Sequence, residues 1–194
     1  MSQSRRTHLK WLLGGLIYAA SAPMWVPTGR VRAATNIGAT ASLLIPERIV
    51  IQTIGVDAKI VTVGPTKLND GGKVSLQWNA PNNSSVGWHN YSGHLGEGRN
   101  IVLNGHNNIY GSVFRKLYTL KAGDKIQLSA GALTVTYQVD EVLILQEKGV
   151  PLAARLRNAR YIQPLQDDRL TVVSCWPETS NTHRVIVIAR PVSA

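Results

Sequence analysis

The chain has 194 residues, a formal net charge of +10, 44% hydrophobic and 16% charged residues, which suits one domain with a sizeable core plus an appendage. Residues 1–33 hold five basic residues (Arg5, Arg6, Lys10, Arg30, Arg32) and no acidic one, so the rest carries 21 − 5 = 16 basic against 11 acidic residues, a balance of +5. Without a Lys/Arg cluster or interleaved aromatics this excludes a nucleic-acid footprint. A weak attraction to an anionic envelope surface is the most it supports. The single cysteine, Cys175, excludes an intramolecular disulfide.

The chain opens with a basic head, "SRRTHLK" (Ser4–Lys10), followed by the apolar run "WLLGGLIYAASAPMWV" (Trp11–Val26) and small residues around Val31, Ala33 and Ala34. That order describes an export signal. The head resembles the twin-arginine pattern Ser-Arg-Arg-x-Phe-Leu-Lys, with His8 in the Phe place. The apolar run has 16 residues, below the ~18–20 that span a bilayer comfortably. Cleavage after Ala33 and retention as a membrane anchor through residues 11–26 both stay open. Either way the mature part is expected outside the cytoplasm, in the cell envelope. Residues 34–43, "ATNIGATASL", read as a linker, and residues 44–194 as the folded domain.

From Ile45 onward short apolar runs alternate with turn residues. "RIVIQTI" (Arg48–Ile54), "AKIVTV" (Ala58–Val63), "VSLQW" (Val74–Trp78) and "NIVLN" (Asn100–Asn104) come first. "DKIQLS" (Asp124–Ser129) and "LTVTYQV" (Leu133–Val139) flank "AGA" as a hairpin. "EVLILQ" (Glu141–Gln146) follows with its apolar phase shifted by one, which predicts a bulge near Asp140. "LTVVS" (Leu170–Ser174) and "RVIVIA" (Arg184–Ala189) close the series, and their apolar character on both faces predicts burial within the sheet. About eight such strands predict an all-β barrel or sandwich. Two segments read as short helices: "SVFRKLYTL" (Ser112–Leu120) and "LAARLRNAR" (Leu152–Arg160) after Pro151.

Cys175 ends a strand. Alone, it fits an inert packed thiol as well as a nucleophile. A reactive thiol needs a cation to stabilise its thiolate and an acid/base partner, most often His. Of five histidines, His8 lies in the export signal, and His89 and His94 lie in the loop "GWHNYSGHLGEG". His183 adjoins Arg184 and points away from it on a strand. His106 is best placed, at a strand end after Gly105 and before a polar turn. No pair has metal-ligand spacing, so no metal site is expected. If 170–174 and 184–189 form a hairpin, an eight-residue loop (176–183) brings Cys175 and Arg184 to one rim. Arg184 there either lowers the thiol pKa and donates to an oxyanion or merely keeps a strand edge soluble.

These residues carry a resemblance. "TVVSC" resembles the sortase motif Thr-Leu-x-Thr-Cys, with Val172 and Ser174 in the Leu and second Thr places. Arg184, in "HRVIVIARPV", matches the arginine on that family's next strand. "NIVLNGHNNIYGSVFRKLYTLKAGDKIQL" is similar throughout to the family's Asn-x-Val/Ile-x-x-Gly-His frame and its Leu-xx-Gly-Asp-x-Ile continuation. "IPERIVIQTIGVDAKIVTVG" and "VGWHNYSGHLGEGRN" resemble the preceding strands and loop. The likeness spans about residues 44–192 and looks nearest to the D-, E- and F-like classes.

The resemblance implies a sortase-like eight-stranded β-barrel with two short helices, and cysteine transpeptidase chemistry without a cofactor. Cys175 would attack a Thr–Gly carbonyl in a Leu-Pro-x-Thr-Gly-like signal, His106 would shuttle the proton and Arg184 would bind the oxyanion or hold the substrate. Val173, Ser174 and Trp176 would contact substrate; Trp176 also fits a core anchor. Residues 146–169 would form a groove wall. The implied partners are surface proteins carrying a sorting signal, with an amine acceptor on peptidoglycan or a pilin. Two other readings remain: an L,D-transpeptidase-like cross-linker, although "VVSCW" lacks that family's His-Gly-Cys, and a non-enzymatic envelope-bound β-barrel binding module.

Overall fold

The computed structural model describes residues 43–70 and 73–192. The export signal and most of the linker lie outside the described residues. In chain order the elements are β1 (Arg48–Ile51), β2 (Val56–Val63), β3 (Pro65–Asp70), β4 (Lys73–Trp78), β5 (Val86–His89), β6 (Asn100–Asn104), β7 (Lys125–Ala130), β8 (Leu133–Gln146), α1 (Leu152–Ala159), β9 (Arg169–Trp176) and β10 (His183–Pro191). Eight strands close into a barrel in the order β1-β2-β5-β6-β9-β10-β8-β7, and β3–β4 form a separate hairpin. The expected eight-stranded barrel is therefore present. No helix among the described residues is long and apolar enough to cross a membrane.

Alternation explains the closure. Ile49 and Ile51, Ile101 and Leu103, Ile126 and Leu128, Leu170 and Val172, and Val185, Val187 and Ala189 all enter one core. Each of the Ile, Leu and Val side chains contributes about 1.5–3 kcal/mol when fully buried. The residues between them face outward. On β6 these outward residues, Asn100, Val102 and Asn104, are buried too, as are Ile186 and Ile188 on β10. The barrel is therefore covered on its outer side where β6 and β10 flank β9.

The bulge near Asp140 is found: Ile188 faces Glu141 while Ala189 faces Val139, leaving Asp140 unpaired inside one long strand, β8. Other features differ from expectation. β3 and β5 were not legible, because "PTKLND" lacks an alternating pattern and "VGWH" is only four residues long. β1 stops at Ile51, and Gln52–Ile54 form a 3-10 turn that ends at Gly55 with φ 71°. The expected helix over 112–120 is a series of turns ending in a 3-10 turn at Leu117–Thr119. Tyr110, Gly111 and Ser112 all have positive φ, which doubles the chain back so that Phe114 N–H donates to the His106 carbonyl at 2.9 Å. The buried residues are then Phe114, Leu117 and Leu120, a spacing of three that suits 3-10 geometry rather than the i, i+4, i+7 of an α-helix. The second expected helix is α1, and a 3-10 turn (Arg160–Ile162) follows it.

Candidate active site

The antiparallel β9–β10 ladder sets Cys175 directly opposite Arg184, with Val173 opposite Ile186 and Trp176 opposite His183. Opposed residues on such a ladder carry their Cβ atoms about 4.5–5.5 Å apart on the same face. Leu170 and Val172 enter the core, so alternation sends Val173 and Cys175 to the outer face of the barrel. The connecting loop is 177–182, shorter than expected because β9 runs on through Trp176 and β10 starts at His183. The Trp176–Pro177 peptide is cis. Cys175 is partly buried.

His106 arrives from the neighbouring parallel strand. β6 and β9 pair as far as Asn104 opposite Val173. The contact continues one residue further: Gly105 N–H donates to the Val173 carbonyl at 3.2 Å, and Ser174 Oγ donates to the Gly105 carbonyl at 2.9 Å. Continued one residue further, this register would set His106 opposite Cys175. Glycine is required at 105, because a Cβ there would meet Phe114 Cδ2 and Val113 Cγ1 at 2.7 Å.

Burial holds the His106 imidazole below its ordinary pKa; the Pro81 carbonyl, which favours the protonated ring, opposes that shift. The Tyr110 ring lies beside it, centroids 5.1 Å apart. Nε2 is buried without a hydrogen-bond partner among the described residues. A half-buried imidazole whose pKa is held down can take up or give a proton. The loop after His106 is tied to the loop after Cys175: Asn108 Nδ2 donates to the Glu178 carbonyl at 2.5 Å, and Arg115 pairs with the Glu178 carboxylate at 3.1 Å.

The structure separates the other expected site residues. Val173 shares the outer face with Cys175. Ser174 is buried and turned to the other side, committed to the Gly105 carbonyl. Trp176 also turns inward, packs against the core, and places its ring near Tyr118 (6.4 Å) and edge-on to His183 (5.5 Å). His183 points away from Arg184, as alternation predicts, and Thr182 Oγ1 lies 2.9 Å from its Nδ1.

His89 lies on β5 rather than in a loop. It is 3% exposed, stacks on Trp78 at 3.9 Å, and burial pushes its pKa down to about 3. His94 is held by Glu97, whose carboxylate also accepts from the His94 backbone N–H at 2.8 Å.

Sequence reasoning missed Asn100. It is fully buried at the start of β6, and its Nδ2 donates to the carbonyls of Tyr161 (3.1 Å) and Gln163 (2.9 Å). Its Oδ1 accepts from Thr171 Oγ1 at 2.8 Å, and its N–H donates to the Leu165 carbonyl at 3.1 Å. One side chain thus pins the segment between α1 and β9 beside the Cys175 strand. Its signals were its place opening an apolar run and its match to the leading Asn of the Asn-x-Val/Ile-x-x-Gly-His frame. On α1, Leu152 and Leu156 stay 66% and 60% exposed, an apolar edge facing solvent. A cleft of about 810 Å³ elsewhere, lined by Val50, Thr53, Asp124, Lys125 and Thr136 among others, contains neither a thiol nor an imidazole. Cys175 and Arg184 lie on the outer face of the barrel and not in that cleft.

A barrel that sets a thiol and an arginine on one rung, with an imidazole two residues past the end of the neighbouring strand, suits cysteine acyl-transfer enzymes. A family model described as Sortase domain matches residues 49–192. The chain belongs to the sortase family, and it is an enzyme of the cysteine transpeptidase kind. Solved structures with a similar fold include sortase C1 from Streptococcus agalactiae, 24% identical with a TM-score of 0.57 over 76% of this chain and 67% of that one. A lid mutant of sortase A from Corynebacterium diphtheriae is 21% identical, with a TM-score of 0.56 over 77% of this chain and 71% of that one. A sortase D5 transpeptidase from Clostridium perfringens is 22% identical, with a TM-score of 0.54 over 77% and 79%. No curated protein matches the chain.

Proposed function

We propose that this sortase cleaves a Leu-Pro-x-Thr-Gly-like signal and transfers the acyl part to an amine on the cell envelope or a pilin, with Cys175, His106 and Arg184 as its reacting groups. The observation that carries this reading is the rung joining Cys175 to Arg184, with the β6–β9 register bringing His106 alongside. The Cys175 thiolate attacks the carbonyl carbon of the Thr–Gly bond. Arg184 donates to the oxyanion that forms. The tetrahedral intermediate collapses, the C–N bond breaks, and the His106 proton goes to the departing glycine amine. A thioester remains on Cys175. An incoming amine gives a proton to His106 and attacks the thioester; the C–S bond breaks, and the thiolate leaves as the new amide forms. Val173, beside Cys175 on the outer face, contacts the substrate. Ser174 and Trp176 act from behind, by fixing the end of β9 that carries Cys175. The basic, twin-arginine-like head supports export, with residues 11–26 as signal or anchor.

The test is incubation of the full-length chain with a library of sorting-type peptides and an amine. Mass spectrometry is expected to find a thioester on Cys175 and an amide product. Full turnover by Cys175→Ala would sink the proposal. Activity on muropeptides but not on sorting peptides would favour the L,D-transpeptidase-like reading.

A further inference from the structure

α1 carries its apolar side outward. Ala154 and Ala159 are half-buried, as is Asn158, whose Nδ2 donates to the Gln146 carbonyl at 2.8 Å. These residues face the domain. At about 100° per residue, Leu156 stands about 200° round the axis from Asn158, nearly opposite it. Leu152, four residues before Leu156, shares its side. A surface helix normally turns its apolar stripe to the core. Here the two leucines are 66% and 60% exposed, and α1 has no buried residue at all.

The same side is cationic. From Glu147 to Gln166 the chain has four basic residues (Lys148, Arg155, Arg157, Arg160) and one acid. That acid, Glu147, is taken by Arg155 at 2.9 Å, and Lys148 Nζ donates to the Ser180 carbonyl at 3.3 Å. Arg157 and Arg160 are exposed and meet no carboxylate among the described residues. Arg160 follows Leu156 by four residues and so lies on its side of the helix. Arg157 borders it, about 100° round.

An apolar edge bordered by unpaired arginines suits a helix lying in the plane of an anionic membrane surface. Arginine stems can cover the leucines while the guanidinium groups stay at the headgroup phosphates. Charge disfavours the other occupants. A second copy meeting this side through a two-fold axis would bring like charges together. A Leu-Pro-x-Thr-Gly-like segment offers the arginines no acid.

We propose that α1 seats the folded domain on an anionic lipid surface, with Leu152 and Leu156 in the apolar boundary and Arg157 and Arg160 on the phosphates. The contact belongs to the domain itself, whatever becomes of residues 1–33.

For the test, the full-length chain is mixed with vesicles of phosphatidylcholine, alone or with phosphatidylglycerol added. Amide hydrogen exchange over residues 152–160 is followed by mass spectrometry. Exchange is expected to slow on the anionic vesicles and not on the neutral ones, which control for insertion of residues 11–26. Raised salt is expected to weaken the effect. Arg157→Gln and Arg160→Gln are each expected to cut the slowing by about fivefold. Leu152→Ser combined with Leu156→Ser is expected to remove it. Unchanged exchange in β9 and β10 shows that a variant is folded. Slowing that is absent, equal on neutral and anionic vesicles, or kept without the leucines overturns the proposal. Slowing produced without lipid, by a Leu-Pro-x-Thr-Gly-type peptide or by rising protein concentration, also overturns it, and assigns the edge to substrate or to a second copy.

Discussion

Arg184 meets Cys175 across one rung of the β9–β10 ladder, and the proposed function gives its charge the task of meeting the oxyanion. Arg184→Ala is expected to lower kcat by about 10²–10³-fold in steady-state assays. Arg184→Lys is expected to recover only part, since an ammonium lacks the planar fork. His106 predicts a pH profile. Burial lowers its pKa, and the active form of a thiol–imidazole pair holds one proton, so activity falls when acid adds a second. The acid limb of kcat/KM is therefore expected below the ordinary imidazole range, and a limb above that range would contradict the assignment.

His89 makes a different prediction. Its ring stays neutral in the fold down to about 3, while the unfolded chain takes up a proton below 6.5, so acid favours unfolding within that window. The loss is up to roughly 1.4 kcal/mol per pH unit. His89→Phe keeps a ring against Trp78 and is expected to flatten denaturant-measured stability between those limits. Cys175, His106 and Arg184 stand out in the sequence as candidates because chemistry restricts the residue types that serve. His89 and Asn100 do not, because a polar side chain in a short or apolar run does not announce which carbonyl or ring it will meet.

At the scale of elements, the site depends on how β6 ends and where the α1 segment is pinned. Gly105→Ala forces a Cβ against Phe114 and Val113. It is expected to cost about 1–3 kcal/mol, read as a lower Tm, and to move the histidine. Asn100→Ala leaves the Tyr161 and Gln163 carbonyls without their donor, a loss of about 1–3 kcal/mol. With the wall released, KM for sorting peptides should rise more than kcat falls; equal changes in both would argue against a wall role. Strands of five or more alternating residues, the Asp140 bulge and α1 were legible from period and phase. The turn over 112–120 was misread because three positive φ angles, two of them at non-glycine residues, redirect the chain, and no residue pattern signals them.

For the molecule as a whole, the ring closes only through four pairings distant in sequence: the antiparallel β1–β7 and β8–β10 and the parallel β2–β5 and β6–β9. No local period encodes them, so most of the strands were readable and their order was not, except through family resemblance. The closed ring also predicts one cooperative unfolding transition for the barrel, with tryptophan fluorescence and far-UV circular dichroism giving coincident midpoints.

The shared rung of Cys175 and Arg184 constrains how relatives can vary in length. One residue added to β10 on the Val185 side of Arg184 would exchange its inward and outward faces and put the arginine behind the thiol. Such changes must come in twos or be absorbed by a second unpaired residue, as Asp140 absorbs one in β8. The loop at 177–182 is free of that parity. Among homologues, gaps should collect between Trp176 and His183, while the spacing from Thr171 to Cys175 and from Arg184 to Ala189 stays constant.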